Sequence, residues 1–439
     1  MGVFSLALGI TLAILYIVGC SPATTIGATS GATFSVDLIH RDSIESPFYN
    51  HGMTFSQRVG RALQRSIKNA KRFQSNSSIY QTQIIPDEGE FLMNISFGNP
   101  SHRVLAIADT GSDLSWIQCR PCIQCYKHVG SIFNPKLSST YKAFGCKSET
   151  CKTLSSVATK CSSTKTCQFT EAYADGSYSI GDVATETIKL GGRDLQDFVF
   201  GCSFRNDGVF EKTWGGIIGL GGGDFSLVSQ IRTLVTPKFS YCMIPFPTDD
   251  HLLKLSSKLI FGDVNFGSQA VSTPLVSKWS PTFYFVTLEG ITVGDIRLNN
   301  SEPSNPTKPM HKGNMILDSG TTFTMLPHNL YHRVEAAIKE NLKNVRTIKD
   351  PQNQLSLCYR KKRVKHAPKI TMHFEGADVP LLRYNIFIEV SKHVMCLGMV
   401  PNSMNAIFGN LAQSNFLVGY DLEKKSVSFR HTDCTRLKV

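Results

Sequence analysis

The stretches IADTGSDLSWIQC (residues 107–119) and MILDSGTTFTML (residues 315–326) each carry an apolar, strand-like run into an aspartate and then into a tight, hydroxyl-rich turn. In the first, Asp109 is followed by Thr110, Gly111 and Ser112; in the second, Asp318 is followed by Ser319, Gly320, Thr321 and Thr322. Two carboxyls held close together cannot both ionise comfortably, so such a pair retains one proton. It then supplies what peptide hydrolysis by water needs, a base to activate the water and an acid to protonate the leaving amine. The titration belongs to the pair, and neither aspartate is the acid by itself. Gly111 and Gly320 permit the turn and a close approach of the two loops. Thr110, Ser112, Ser319 and Thr321 offer hydroxyl donors that fix the carboxylates' orientation.

Other chemistries find less support. The chain has no H-E-x-x-H and no G-x-S-x-G, and the glycine run at 215–223 lacks the third glycine of a dinucleotide fingerprint. Cys119, Cys122 and Cys125 have zinc-ligand spacing, but no second well-spaced Cys/His pair lies nearby. Neither a cofactor nor a metal is therefore expected.

The elements that must position the aspartates read as strands. From Glu88 onward, short apolar or alternating runs such as HRVLAIAD, DVATETIKL, DFVFGCS, KFSYCMI, KLIFGD and SVSFR are broken by Gly, Asn, Asp and Ser. Helical texture is confined to a short piece near 225–231 and a clearer one over 327–342, with Tyr331, Val334, Ile338 and Leu342 on one face. Each aspartate is followed by a later apolar-apolar-Gly segment, Ile217, Ile218, Gly219 after Asp109 and Ile407, Phe408, Gly409 after Asp318. The repetition predicts an all-β chain of two related lobes that meet near residue 275.

At 439 residues, with 18% charged residues and 34 glycines, the chain suits a large, turn-rich β protein. Of the net charge of +12, residues 34–80 contribute +4, from seven Lys or Arg against three acids. The rest reads as dispersed surface charge, without the aromatic-interleaved basic stripe of nucleic-acid binding. Residues 3–18 are almost all apolar and suit a secretory signal, although a basic n-region is missing; an uncleaved anchor is the alternative. FSQRVGRALQRSIKNAKRF (55–73) places Val59, Leu63 and Ile67 at i, i+4, i+8 of a basic amphipathic helix, as in a propeptide whose cations cover an acidic cleft; a membrane-surface or partner-binding helix is the alternative. With Cys20 assigned to the signal, twelve cysteines remain, an even number that reads as a disulfide framework in an exported chain. Sequons at Asn76, Asn94 and Asn299 agree with export.

Over residues 91–434, the motifs DTGSDLSW, C-x-x-C-x-x-C from Cys119, YADGS (173–177), Ile217–Leu220, DSGTT and IFGN (407–410) together resemble those of a pepsin-like aspartic endopeptidase, in particular the secreted plant nepenthesin-like group. The resemblance implies a bilobal pepsin-like fold of two β-barrel-like lobes around a central substrate cleft, with Asp109 and Asp318 as the catalytic pair. It also implies that Tyr173, with Gly176 and Ser177, belongs to a mobile hairpin flap closing over bound peptide, and that Trp116 hydrogen-bonds this tyrosine. By itself, Tyr173 reads only as a strand residue before an Asp-Gly turn. The organisation expected is signal peptide 1–30, propeptide 31–80, N-terminal lobe with a cysteine-rich insert 81–275, and C-terminal lobe 276–439. By the same analogy the bridges are Cys119–Cys122, Cys125–Cys202, Cys146–Cys167, Cys151–Cys161, Cys242–Cys434 and Cys358–Cys396. The implied protein is a monomer acting on polypeptide substrates, with no nucleic-acid partner and no stable membrane association. Its destination is extracellular, in the apoplast, with the vacuole as the alternative. A non-catalytic inhibitor or binding protein on the same scaffold is the rival; such relatives lose a catalytic aspartate, the flap tyrosine or the supporting hydroxyls, all present here.

Overall fold

The run that ends at Asp109 forms the strand His102–Asp109, whose last four residues are buried. Gly216–Gly219 lies parallel to it, with Ile217 opposite Ile107 and Gly219 opposite Asp109, and antiparallel to Trp116–Gln118. The second half repeats this unit. Met315–Leu317 leads into Asp318 and pairs in parallel with Ala406–Phe408, Ile316 opposite Ile407; Thr324–Pro327 packs antiparallel to the same strand, Met325 opposite Ile407. The duplicated motifs are thus one three-strand unit built twice. Its glycines are sterically demanded: a Cβ on Gly219 would lie 2.2 Å from the Asp113 carbonyl oxygen, and one on Gly409 would lie 2.6 Å from the backbone of Phe323.

The computed structural model describes residues 33–71, 91–128, 130–154, 156–172, 178–207, 214–246, 254–300, 311–403 and 405–437. The expected all-β architecture is observed. A 15-stranded sheet runs from Val271–Pro274 through Ser426–His431, Phe416–Asp421, Lys238–Cys242, Ser257–Phe261, Phe34–His40 and Phe91–Phe97 to His102–Asp109 and beyond; a five-stranded sheet and two four-stranded sheets complete the fold. C-terminal strands therefore sit in the same sheet as N-terminal ones, joined where Phe239 faces Tyr420 and Tyr241 faces Val418. Among the described residues no helix is long and apolar enough to cross a membrane. The expected signal region lies outside the described residues.

The Phe34–His40 strand is inserted between Ser257–Phe261 and Phe91–Phe97, with Phe34, Leu38 and His40 buried. The basic helix forms over Phe55–Lys71. Val59 and Leu63 are buried as expected, whereas Ile67 is 41% exposed. Eight residues at 100° each carry Ile67 away from the stripe, and the covered face continues instead through Ala62, Arg65, Ser66 and Ala70. The other expected helices form at Leu227–Gln230 and at His328–Asn341, which buries Leu330, Tyr331, Val334, Ala337 and Ile338.

All twelve cysteines among the described residues are bridged, with a correction to the expected pairing. Cys242–Cys434 and Cys358–Cys396 form as anticipated. The insert instead holds Cys119–Cys202, Cys122–Cys125, Cys146–Cys161 and Cys151–Cys167. The reason is register. Trp116–Gln118 runs parallel to Arg193–Asp207 with Ile117 opposite Cys202, so Cys119 leaves that strand 5.4 Å (Cα–Cα) from Cys202. Cys151, on the short helix Glu149–Thr153, faces inward toward the fully buried Cys167, while the exposed Cys161 is left for Cys146.

Candidate functional site

Asp109 and Asp318 are 3% and 1% exposed at the ends of their equivalent strands. Each folds back on its own turn: the Gly111 N–H donates to Asp109 Oδ1 at 2.9 Å, and the Gly320 N–H to Asp318 Oδ1 at 3.0 Å. The two turns are joined directly. The Ser319 N–H donates to Thr110 Oγ1 at 3.0 Å, and the two hydroxyls lie 3.1 Å apart, all buried. This contact links residues 209 apart in sequence and fixes one aspartate loop against the other.

Support is not symmetric. The Thr321 hydroxyl donates to Asp318 Oδ2. The equivalent Ser112 does not play the part expected of it, because its buried Oγ has no hydrogen-bond partner. Its carbonyl instead accepts the Gly221 N–H at 2.8 Å and so ties the loop to the bend that follows the strand Gly216–Gly219. Behind Asp318, Gln413 Nε2 donates to the carbonyls of Phe408 (2.7 Å) and Asp318 (3.4 Å), and its Oε1 accepts from the Tyr241 hydroxyl. Asn410 Nδ2 donates to the Ser319 carbonyl at 2.9 Å. Trp116 is buried and meets Trp214 edge to face at 6.0 Å. Tyr173, Gly176 and Ser177 lie outside the described residues, as does Asn76. Asn94 is half-buried and accepts from Arg103 Nε at 2.6 Å, and Asn299 is exposed.

Three further residues reach the site. Asp113 is fully buried, accepting from Thr282 Oγ1 at 2.6 Å and from the Gly223 N–H at 2.9 Å. Burial, aided by Asp224 and Asp109, pushes its carboxyl up to about 6 against those two hydrogen bonds. Glu171 sits on Cys167–Ala172, which leads toward 173–177; both carboxyl oxygens are buried without a partner. Burial, then the fields of Asp113 and Asp109, raise its pKa well above the usual carboxylate range. Ser66 of the basic helix accepts, through Oγ, the N–H groups of Thr322 (2.9 Å) and Phe323 (3.2 Å), immediately after the second aspartate turn. Asp113 stands in plain view within DTGSD. For Glu171 the signal is alternation, since Cys167, Phe169 and Glu171 share the inward face. Nothing local in the sequence marks Ser66. No group of three or more His, Cys, Asp or Glu among the described residues is arranged to hold a metal ion.

Comparison with known proteins agrees with this geometry. Family models described as xylanase inhibitor N-terminal and C-terminal match residues 91–263 and 283–431. A probable aspartic protease of Arabidopsis thaliana is 43% identical over 92% of this chain and 94% of its own length. The aspartic proteinase nepenthesin-1 of Nepenthes gracilis is 35% identical over 91% of this chain and 90% of that protein. This chain belongs to the plant aspartic protease family, in its nepenthesin-like, pepsin-like group. The fold of this family member is shared with the solved basic 7S globulin of soybean, at a TM-score of 0.65 and 16% identity, covering 93% of this chain and all of that one. Conglutin gamma from lupine seeds matches with a TM-score of 0.63 at 19% identity, over 91% of this chain and 95% of its own.

Proposed function

We propose that the protein is an exported endopeptidase that hydrolyses peptide bonds in acid, using Asp109 and Asp318 as a pair that shares one proton. One carboxylate takes a proton from a bound water as it attacks the scissile carbonyl; the other carboxyl gives its proton during collapse of the intermediate, so that the amine leaves neutral. The observation that carries this reading is the buried Thr110–Ser319 contact, which joins the two aspartate turns and restricts their relative position. The Asx-type bonds from Gly111 and Gly320 each hold one oxygen of a carboxyl, and the Thr321 hydroxyl donates to the second oxygen of Asp318.

In this reading residues 1–30 are a signal, 31–80 a propeptide, and 81–275 and 276–439 the two lobes, with Tyr173 and Trp116 forming the flap and its support. Ser66 seats the propeptide helix on the second aspartate turn, which gives latency a specific contact in addition to charge. The exported enzyme acts as a monomer outside the cell. A non-catalytic binding role, suggested by the inhibitor descriptions of the family models, is opposed by the presence of both aspartates and of the Thr110, Ser319 and Thr321 hydroxyls. The test is cleavage of denatured haemoglobin at roughly pH 3 to 5, where such a pair holds one proton. Activity should be blocked by pepstatin and fall at least about 10³-fold in Asp109→Asn and in Asp318→Asn. A folded, activated protein without cleavage, or variants as active as the parent, would overturn the proposal.

A further inference from the structure

A dense run of positive charge, RKKRVKHAPK (360–369), has no part in the aspartate site. It begins at the end of the strand Cys358–Arg360 and continues through the one-turn helix Lys361–Val364, which is anchored by the buried Val364. Arg360, Lys361, Lys362, Arg363, Lys365 and Lys369 are exposed. The neighbouring hairpin adds Lys392, because Arg360 stands opposite Val394 and the Lys361 N–H donates to the His393 carbonyl. Lys361 is neutralised by Glu389. Arg360, Lys362, Arg363, Lys365, Lys369 and Lys392 have no ion-pair partner among the described residues, so six unpaired, exposed cations stand in and beside this short segment of the C-terminal half.

We propose that this segment binds a linear polyanionic polysaccharide bearing repeated uronate carboxylates. Charge without a large exposed apolar or aromatic side chain favours that chemistry. Tyr359 and Val364 are buried, and the exposed rings of the segment are the small imidazoles of His366 and His393, so it offers neither a bulky apolar anchor for a lipid interface nor a Phe, Tyr or Trp platform for stacking bases. Four of the six cations are lysines, compact point charges that can meet the single carboxylates of a polymer one after another. Each neutralised carboxylate releases a counterion from the polymer, so affinity should fall steeply with salt.

The full-length protein is passed over immobilised polygalacturonate across a salt series, with fully methyl-esterified polymer as the uncharged control. Retention on the acidic polymer alone is expected. The triple variant Lys362→Glu, Arg363→Glu, Lys365→Glu should lose at least about tenfold in affinity and show a shallower salt dependence. A control reversing the exposed Lys136, Lys147 and Lys160 has the same net charge and should change affinity by about twofold or less. Lys362→Gln with Lys365→Gln supplies a milder variant, expected to give a smaller loss with peptide cleavage unchanged. The proposal is overturned by equal loss in both charge-reversed proteins, by no retention of the parent, or by equal retention on the esterified polymer. Tighter binding to single-stranded DNA or to phosphatidylserine vesicles overturns it as well.

Discussion

Asp113 and Glu171 set the behaviour of the site at the scale of single residues. Both carboxyls are held above their ordinary range by burial, Asp113 at about 6. A carboxyl whose folded pKa is raised binds its proton more tightly folded than unfolded, so it contributes relative stability at low pH. That contribution is lost as pH rises from the unfolded value near 4 through the folded one. For Asp113 the loss is on the order of 3 kcal/mol, and it falls between about pH 4 and 6. Thermal melts from acid to neutral pH should show the parent weakening over this interval. Asp113→Asn and Glu171→Gln, which retain the shape of the protonated acid, should each weaken less. Parallel curves for all three proteins would show that neither carboxyl governs the pH response. Alternation along 167–171 already points Glu171 inward, but only the tertiary structure reveals that it arrives beside Asp109 and Asp113 with no donor to meet it.

Two elements act through particular atoms. The Phe55–Lys71 helix reaches the second aspartate turn through Ser66, whose oxygen accepts two buried backbone N–H groups. Ser66→Ala leaves both donors unsatisfied, at a cost of about 1–3 kcal/mol to the latent form. Its precursor should activate faster and at higher pH than the parent when processing is followed by gel and peptide cleavage; an unchanged activation profile would remove Ser66 from latency. The insert depends on Cys119–Cys202, which spans 83 residues of chain. Losing a bridge of that span costs roughly 2–5 kcal/mol, so Cys119→Ala with Cys202→Ala should melt well below the parent. Non-reducing digestion and mass spectrometry should recover Cys119 linked to Cys202 and Cys122 linked to Cys125. The helix face is where residue spacing misjudges these elements, and the insert's pairing is where the family analogy does. Ile67 lies off the stripe by simple rotation, and cysteine spacing cannot reveal which strands lie side by side.

Across the whole molecule the two halves share backbone as well as a site. Lys238–Cys242 is bonded on one side to Ser257–Phe261 and on the other to Phe416–Asp421, and Cys242–Cys434 locks the same seam. Removing the C-terminal strands exposes an unpaired edge on Lys238–Cys242 and strips Phe239 of its stacked partner Tyr420. A fragment ending at residue 274 should therefore lack a cooperative melt and a native near-UV spectrum, whereas the full chain has both. A fragment that folds cooperatively by itself would mean that the shared sheet is dispensable.

By itself the sequence determined the all-β class, the duplicated unit and the pair of aspartate turns, because strand period, glycine turns and hydroxyl placement are local properties that a short window contains. It likewise contained the cations of 360–369, whose exposure and lack of partners emerged only from packing. The tertiary structure decided what depends on meetings between distant residues: Thr110 with Ser319, Cys119 with Cys202, Ser66 with Thr322, and the enclosure of Glu171. Such meetings are set by strand register and loop closure over tens to hundreds of residues, which local spacing does not encode.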